Sequence, residues 1–159
     1  MLRVRWFFQN FGEDFLHDPV LSGEVRLPAG DGKEAFIDAE DIAEVAAAAL
    51  TEPGHAGWSY ELSGPRLMTF ADADAVAEIA RATGRDLRYV PLTPEAYAQE
   101  QRAQGVPEEW VRLTVGLYEH VRSGGLASLG DGVRKALGRA PRDFSEYADT
   151  TAREGVWNS

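Results

Sequence analysis

The stretch Val4-Arg-Trp-Phe-Phe-Gln-Asn-Phe11 places Trp6, Phe7, Phe8 and Phe11 within two short turns of chain. Residues Arg3 to Phe8 are rich in β-branched and aromatic side chains and read as a strand. Strict alternation fails at Trp6-Phe7-Phe8, as it does in a strand buried on both faces, the habit of parallel sheets. Such a strand needs helices above and below it, so an α/β layering is already implied.

The rest of the chain supplies those helices. After Gln9 to His17, with Phe11, Phe15 and Leu16 at helical spacing, Pro19 is expected to end a first short helix. Glu24 to Leu27 and Glu34 to Ile37 flank a loop with the turn signal Asp31-Gly32, which predicts a hairpin or wide loop. Asp38 is placed to cap the next helix, with Asp41 completing a capping-box-like pair, and Ile42, Val45, Ala46, Ala49 and Leu50 follow at helical spacing. Trp58 to Leu62 reads as a strand. Thr69 with Asp72 forms a second box, opening a helix lined by Phe70, Ala73, Val76, Ala77 and Ala80 and closed by Gly84. Leu87 to Val90 is a short strand, and Thr93-Pro94 opens a helix that runs to Gly105. Pro107 to Val121 is the longest helical pattern, with Trp110, Leu113, Leu117 and Val121 on one side. Leu137-Gly138 stops a further short helix, and Phe144, Tyr147 and Ala148 mark a last one. The expectation is one domain over residues 1–159, an α/β fold with a partly parallel sheet and flanking helices.

Composition limits the function classes. With 16 Lys and Arg against 26 Asp and Glu the formal net charge is −10, which repels phosphate backbones, so no nucleic-acid partner is expected. The chain has no cysteine, which excludes disulfides and thiolate chemistry. His17, His55 and His120 have no companion at metal-ligand spacing, so no metal is expected. No stretch reaches the ~20 apolar residues that span a bilayer, and the opening residues have no signal-peptide pattern. A cytoplasmic protein with no membrane contact is the expectation.

Several fragments, in order, resemble the NmrA-like family of atypical extended short-chain dehydrogenases. They are the opening strand, Arg26-Leu-Pro-Ala-Gly-Asp-Gly32, Phe36-Ile-Asp-Ala-Glu-Asp-Ile-Ala43, Tyr60-Glu-Leu-Ser-Gly-Pro65 and Leu67-Met-Thr-Phe-Ala-Asp72. Further along come Gly84-Arg-Asp-Leu-Arg-Tyr-Val-Pro91, Leu117-Tyr118 with Arg122-Ser-Gly124, Leu137-Gly-Arg-Ala-Pro-Arg142 and Phe144-Ser-Glu-Tyr147. The resemblance is to the C-terminal, substrate-side half. It implies that the N-terminal dinucleotide-binding half is missing. The glycine pairs Gly30/Gly32, Gly124/Gly125 and Gly130/Gly132 do not follow a buried strand and open a helix, so no cofactor-binding residue is assigned. NAD(P) would be held only if a partner chain supplied the absent half.

By the same resemblance, Trp6, Phe8, Gln9 and Asn10 would line a substrate pocket, the amides of Gln9 and Asn10 holding a carbonyl or hydroxyl without adding a charge. Those amides could equally cap the following helix. Catalytic candidates are His120, Tyr118 and Asp38, the last also explained by capping. The leading expectation is a small-molecule-binding domain, either a regulatory module or the substrate half of a split NAD(P)-dependent reductase. The alternatives are a stand-alone non-redox enzyme (isomerase, cyclase or dehydratase) or a remnant without activity of its own. An unpaired opening strand also implies a partner, a homodimer or a hetero-partner joined through that edge.

Overall fold

The computed structural model describes residues 1–71 and 74–158. Its first strand, β1 (Leu2–Val4), is shorter than the sequence suggested. The aromatic run leaves the ladder as Phe8 and Phe11 turn into the core, while Phe7 stays exposed. Phe7 makes one parallel bridge to Ile37, and Phe8–Phe11 turns into a short 3-10 helix with Phe8 and Phe11 buried. The chain is still held there, since the Phe8 N–H donates to the Ile37 carbonyl and the Ile37 N–H to that of Trp6, each at 2.8 Å.

The helix α1 (His17–Ser22) contains Pro19 instead of ending before it. Proline is tolerated in a first turn, where its missing N–H has no intrahelical partner to lose. Strand β2 (Glu24–Leu27) does not form a hairpin with residues 34–37. It pairs in parallel with β4 (Arg88–Pro91), in register Glu24 to Arg88, while Glu34 bridges antiparallel to Met68. The other pair is β1 with β3 (Tyr60–Leu62), parallel, with Arg3 opposite Glu61. The α/β expectation thus resolves into two small parallel sheets.

Helix α2 (Ala39–Thr51) starts where expected: the Asp38 carboxylate accepts from the Glu40 N–H at 3.0 Å. Asp41 does not complete a capping box; it is fully buried and binds Arg139 and Arg142. Helix α3 (Ala75–Thr83) ends at Gly84 in the left-handed region. The expected Thr69–Asp72 box and the apolar position Ala73 lie outside the described residues. Thr69 bonds Asp74 instead, its N–H and hydroxyl donating to Oδ2 at 2.7 and 2.9 Å. Then follow α4 (Pro94–Ala103), capped by Thr93, and α5 (Glu108–Arg122). Last are α6 (Gly132–Leu137) and α7 (Phe144–Arg153).

Two apolar clusters form. A smaller one joins β1 and β3 to α2 and α6 through Leu2, Tyr60, Leu62, Val45 and Val133. The larger is aromatic, with Phe8, Phe11, Phe36, Phe70 and Phe144 in edge-on contact and Trp157 closing it from the C-terminal side. The two meet at residues 34–37 and 64, where a Cβ on Gly64 would lie 2.0 Å from the Phe36 carbonyl oxygen. Only glycine permits that crossing.

Candidate functional site

The long helix α5 has two apolar faces. Val111, Tyr118 and Val121 are buried, whereas Trp110, Leu113 and Leu117 stay open, at 54%, 51% and 40% exposure. The four residues expected on one side are therefore divided: Val121 packs inward and the other three wall a cavity of about 490 Å³. Trp6, Phe15 and the ring of Tyr118, itself on α5, complete the walls, and the polar groups lining it belong to Asn10, Asp14 and Thr114. Trp6 is fixed by Phe70, Phe15 and Tyr118, at ring-centroid distances of 5.3, 5.9 and 5.4 Å. An apolar cleft with a few convergent polar groups is the usual form of a small-molecule site.

Trp6 and Asn10 also wall a second cavity, of about 320 Å³, with Val4, Arg5, Phe7, Leu126 and Glu34. Asn10 thus stands between two cavities. Its backbone is held by bonds to Phe7 and Leu16, and among the described residues none hydrogen-bonds its side-chain amide. Glu34 is fully buried. Its Oε1 accepts from the Ala35 N–H at 2.8 Å and its Oε2 has no partner. Loss of water raises its carboxyl to about 7, against smaller opposing effects of the Ala35 N–H and the Arg5 charge.

The remaining expected site residues fall elsewhere. Phe8 lies in the core against Phe144, at 5.0 Å between rings. Gln9 turns to α2, its Nε2 donating to Asp38 Oδ1 at 2.8 Å and its Oε1 accepting from the Ala39 N–H at 2.9 Å. It therefore caps a helix distant in sequence, not the one that follows it. Asp38 is occupied by the same cap. The Tyr118 hydroxyl is buried without a partner, and burial, with Tyr97 and Tyr89 adding, holds it well above the ordinary phenol range. His120 is on the exposed side of α5, its imidazole lying over Gly125.

Sequence reasoning missed Glu34 and the Asp41 cluster. Asp41 and Glu44 are gripped by Arg139 and Arg142, whose hydrogen bonds hold the Glu44 carboxyl down at about 2. An acid one helical turn from another, facing two arginines three residues apart, was the available signal. It ties α2 to the segment before α7.

Of the glycine pairs, Gly130/Gly132 is used for packing. Cβ atoms on Gly130 and Gly132 would come within 2.2 and 2.6 Å of the Glu61 carbonyl oxygen, so these glycines serve to seat α6 on β3. The Gly130 N–H donates to the Ser63 hydroxyl at 2.8 Å instead of facing open space. Among the described residues no group of three or more acidic or imidazole side chains could hold a metal ion. No helix there is long and apolar enough to cross a membrane.

The fold is that of reductases of the NmrA-like and short-chain-dehydrogenase type. A triphenylmethane reductase from Citrobacter sp. superimposes with a TM-score of 0.79 and 22% identity, over 95% of this chain and 52% of that one. The NADPH complex of a quinone oxidoreductase from Escherichia coli gives 0.78 and 24%, over 93% and 51%. No protein-family profile matches the chain. In sequence it is 39% identical to an NAD(P)H azoreductase of Xenophilus azovorans over 130 residues, which is 82% of this chain and 45% of the relative. To the agroclavine dehydrogenase of Claviceps fusiformis it is 33% identical over 161 residues, covering 99% and 54%. The chain spans about half the length of the curated relatives it matches, and it is homologous to that part of NAD(P)-dependent reductases.

Proposed function

We propose that this chain is the C-terminal, substrate-side portion of an NAD(P)-dependent reductase of NmrA-like type, with the dinucleotide held by a βαβ half packed along the outer edge of β1. The observation that carries this is the open apolar face of α5. Trp110, Leu113 and Leu117 stand exposed around a cavity floored by Trp6 and Tyr118, a contiguous apolar patch of the kind that marks an interaction site. Its dimensions and aromatic walls suit a flat, uncharged, conjugated molecule. A relative named for azo compounds and a structural neighbour named for quinones support a conjugated substrate.

In this reading the chain's own residues bind and orient. Trp6 and Trp110 face the plane of the substrate, Asn10 offers a donor and an acceptor at the rim, and the aliphatic side chains of α5 keep water away. The test is a titration with menadione, an uncharged naphthoquinone, followed by quenching of tryptophan fluorescence. Saturable binding by the wild type, lost in Leu113→Arg at an unchanged melting temperature, is the expected result. Equal quenching of both proteins would overturn the assignment. NADPH alone is expected to leave the melting temperature unmoved, since a ligand stabilises only what it binds.

A further inference from the structure

The second cavity, on the β1 side of Asn10, is not used by a purely apolar pocket, and it holds the one carboxylic acid in the described structure that is fully covered with a bare oxygen. We propose that Glu34 is the specificity residue of this site, donating a hydrogen bond from Oε2 to a carbonyl oxygen of a conjugated ligand whose body lies in the α5 cavity. This rests on the substrate-side reading above.

The geometry fixes the roles. The two cavities share Trp6 and Asn10, so the free Asn10 amide stands between the α5 cavity and the one that Glu34 lines. Of the two Glu34 oxygens, Oε1 is engaged by the Ala35 N–H and only Oε2 is left for a ligand. The main chain of the residue is held in place, its N–H and carbonyl both bonded to Met68 at 2.9 Å. Burial among Val4, Trp6, Phe7 and Leu126 favours the neutral acid, which has a proton to give. Three segments pack on it: residues 4–10, the Met68 strand segment and the Leu126 loop. The only charged side chain from them that acts on the carboxyl is Arg5, whose guanidinium also donates to the Ser128 hydroxyl at 2.6 Å. Val4 and Phe7, 44% and 37% exposed, form the outer wall of this cavity. A buried donor left bare until a ligand arrives discriminates against molecules without an acceptor, because those would leave it unpaired.

The experiment measures menadione affinity between pH 5.5 and 8.5 for wild type, Glu34→Gln and Glu34→Leu. Menadione does not titrate in that range. Wild-type binding should weaken about tenfold as pH rises through 7, where the acid loses its proton. Glu34→Gln keeps a neutral donor and should bind with little pH dependence, and Glu34→Leu should bind about tenfold more weakly than wild type at pH 5.5. Circular dichroism of each variant establishes that it is folded, and Glu34→Gln, the isosteric change, serves if Glu34→Leu is not. A wild-type profile identical to that of Glu34→Gln would overturn the role of Glu34 and leave the apolar pocket standing. Absence of wild-type binding at every pH would overturn the pocket reading, and this assignment with it.

Discussion

Glu34 carries a stability signature independent of any ligand. Its carboxyl titrates at about 7 in the folded chain against an ordinary value of 4.5, so between these pH values the native state holds a proton that the unfolded state has lost. Stability therefore falls as pH rises from about 4.5 to 7 and levels off above. The loss is on the order of 3 kcal/mol, each pKa unit being about 1.4 kcal/mol. Glu34→Gln should differ little from wild type in urea denaturation at about pH 4 and be more stable at about pH 8; equal stability at both would show that the carboxyl is solvated. None of this was legible in the residues. Glu34 reads as the start of an extended segment after the loop, and its burial comes from the bridge to Met68, a partner no local pattern announces. The resemblance singles out Asn10 and Gln9 alike; Asn10 lines both cavities, whereas the Gln9 amide is taken up by the N-terminus of α2.

Elements were legible where their ends carry local chemistry. Asp38, Thr93-Pro94, Gly84 and Gly138 bound helices at the expected places because caps depend on neighbours only a few residues away. The hairpin failed for the opposite reason. Asp31-Gly32 can turn the chain, but β2 finds its partner in β4, a long-range choice made by burial of Val25 and Leu27 under α1 and α3. In α5 the periodicity located the helix and not its division of labour. One face packs on Phe70 and Tyr97, through Tyr118, and the other remains open. The two faces should therefore respond differently. Leu117→Gln, on the open face, should change stability by no more than about 0.5 kcal/mol. Val111→Ala, fully buried, should cost about 2 kcal/mol through the void it leaves. Thermal melts of both variants decide the matter; equal losses would mean that the open stripe is covered in solution.

At the scale of the molecule, the unsolved demand is the outer edge of β1. In its parallel ladder with β3, Met1 and Arg3 direct their backbone groups toward β3, as the 2.9 Å bond from the Tyr60 N–H to the Met1 carbonyl shows. Alternation then points those of Leu2 and Val4 the other way, where among the described residues no strand pairs with them. A bare parallel edge beside the exposed side chains of Val4 and Phe7 is a template for another chain. In the reading proposed above, a dinucleotide-binding half occupies it. Without that half, a second copy is the available partner, and a two-fold pair closes the edge. The purified chain at tens of micromolar is therefore expected to sediment above its 17.4 kDa monomer mass. Trp6→Arg is a poor probe of this, because Trp6 is built into the aromatic cluster with Phe15, Phe70 and Tyr118 and its loss would unfold the core. Val4→Pro is the cleaner one. It removes an N–H directed away from β3 and sparing the internal ladder, and proline is accepted on an edge. The variant should retain the wild-type circular dichroism and sediment as a monomer. A folded Val4→Pro protein that still self-associates would place the contact elsewhere, and a monomeric wild type would mean that the edge of β1 is tolerated in water.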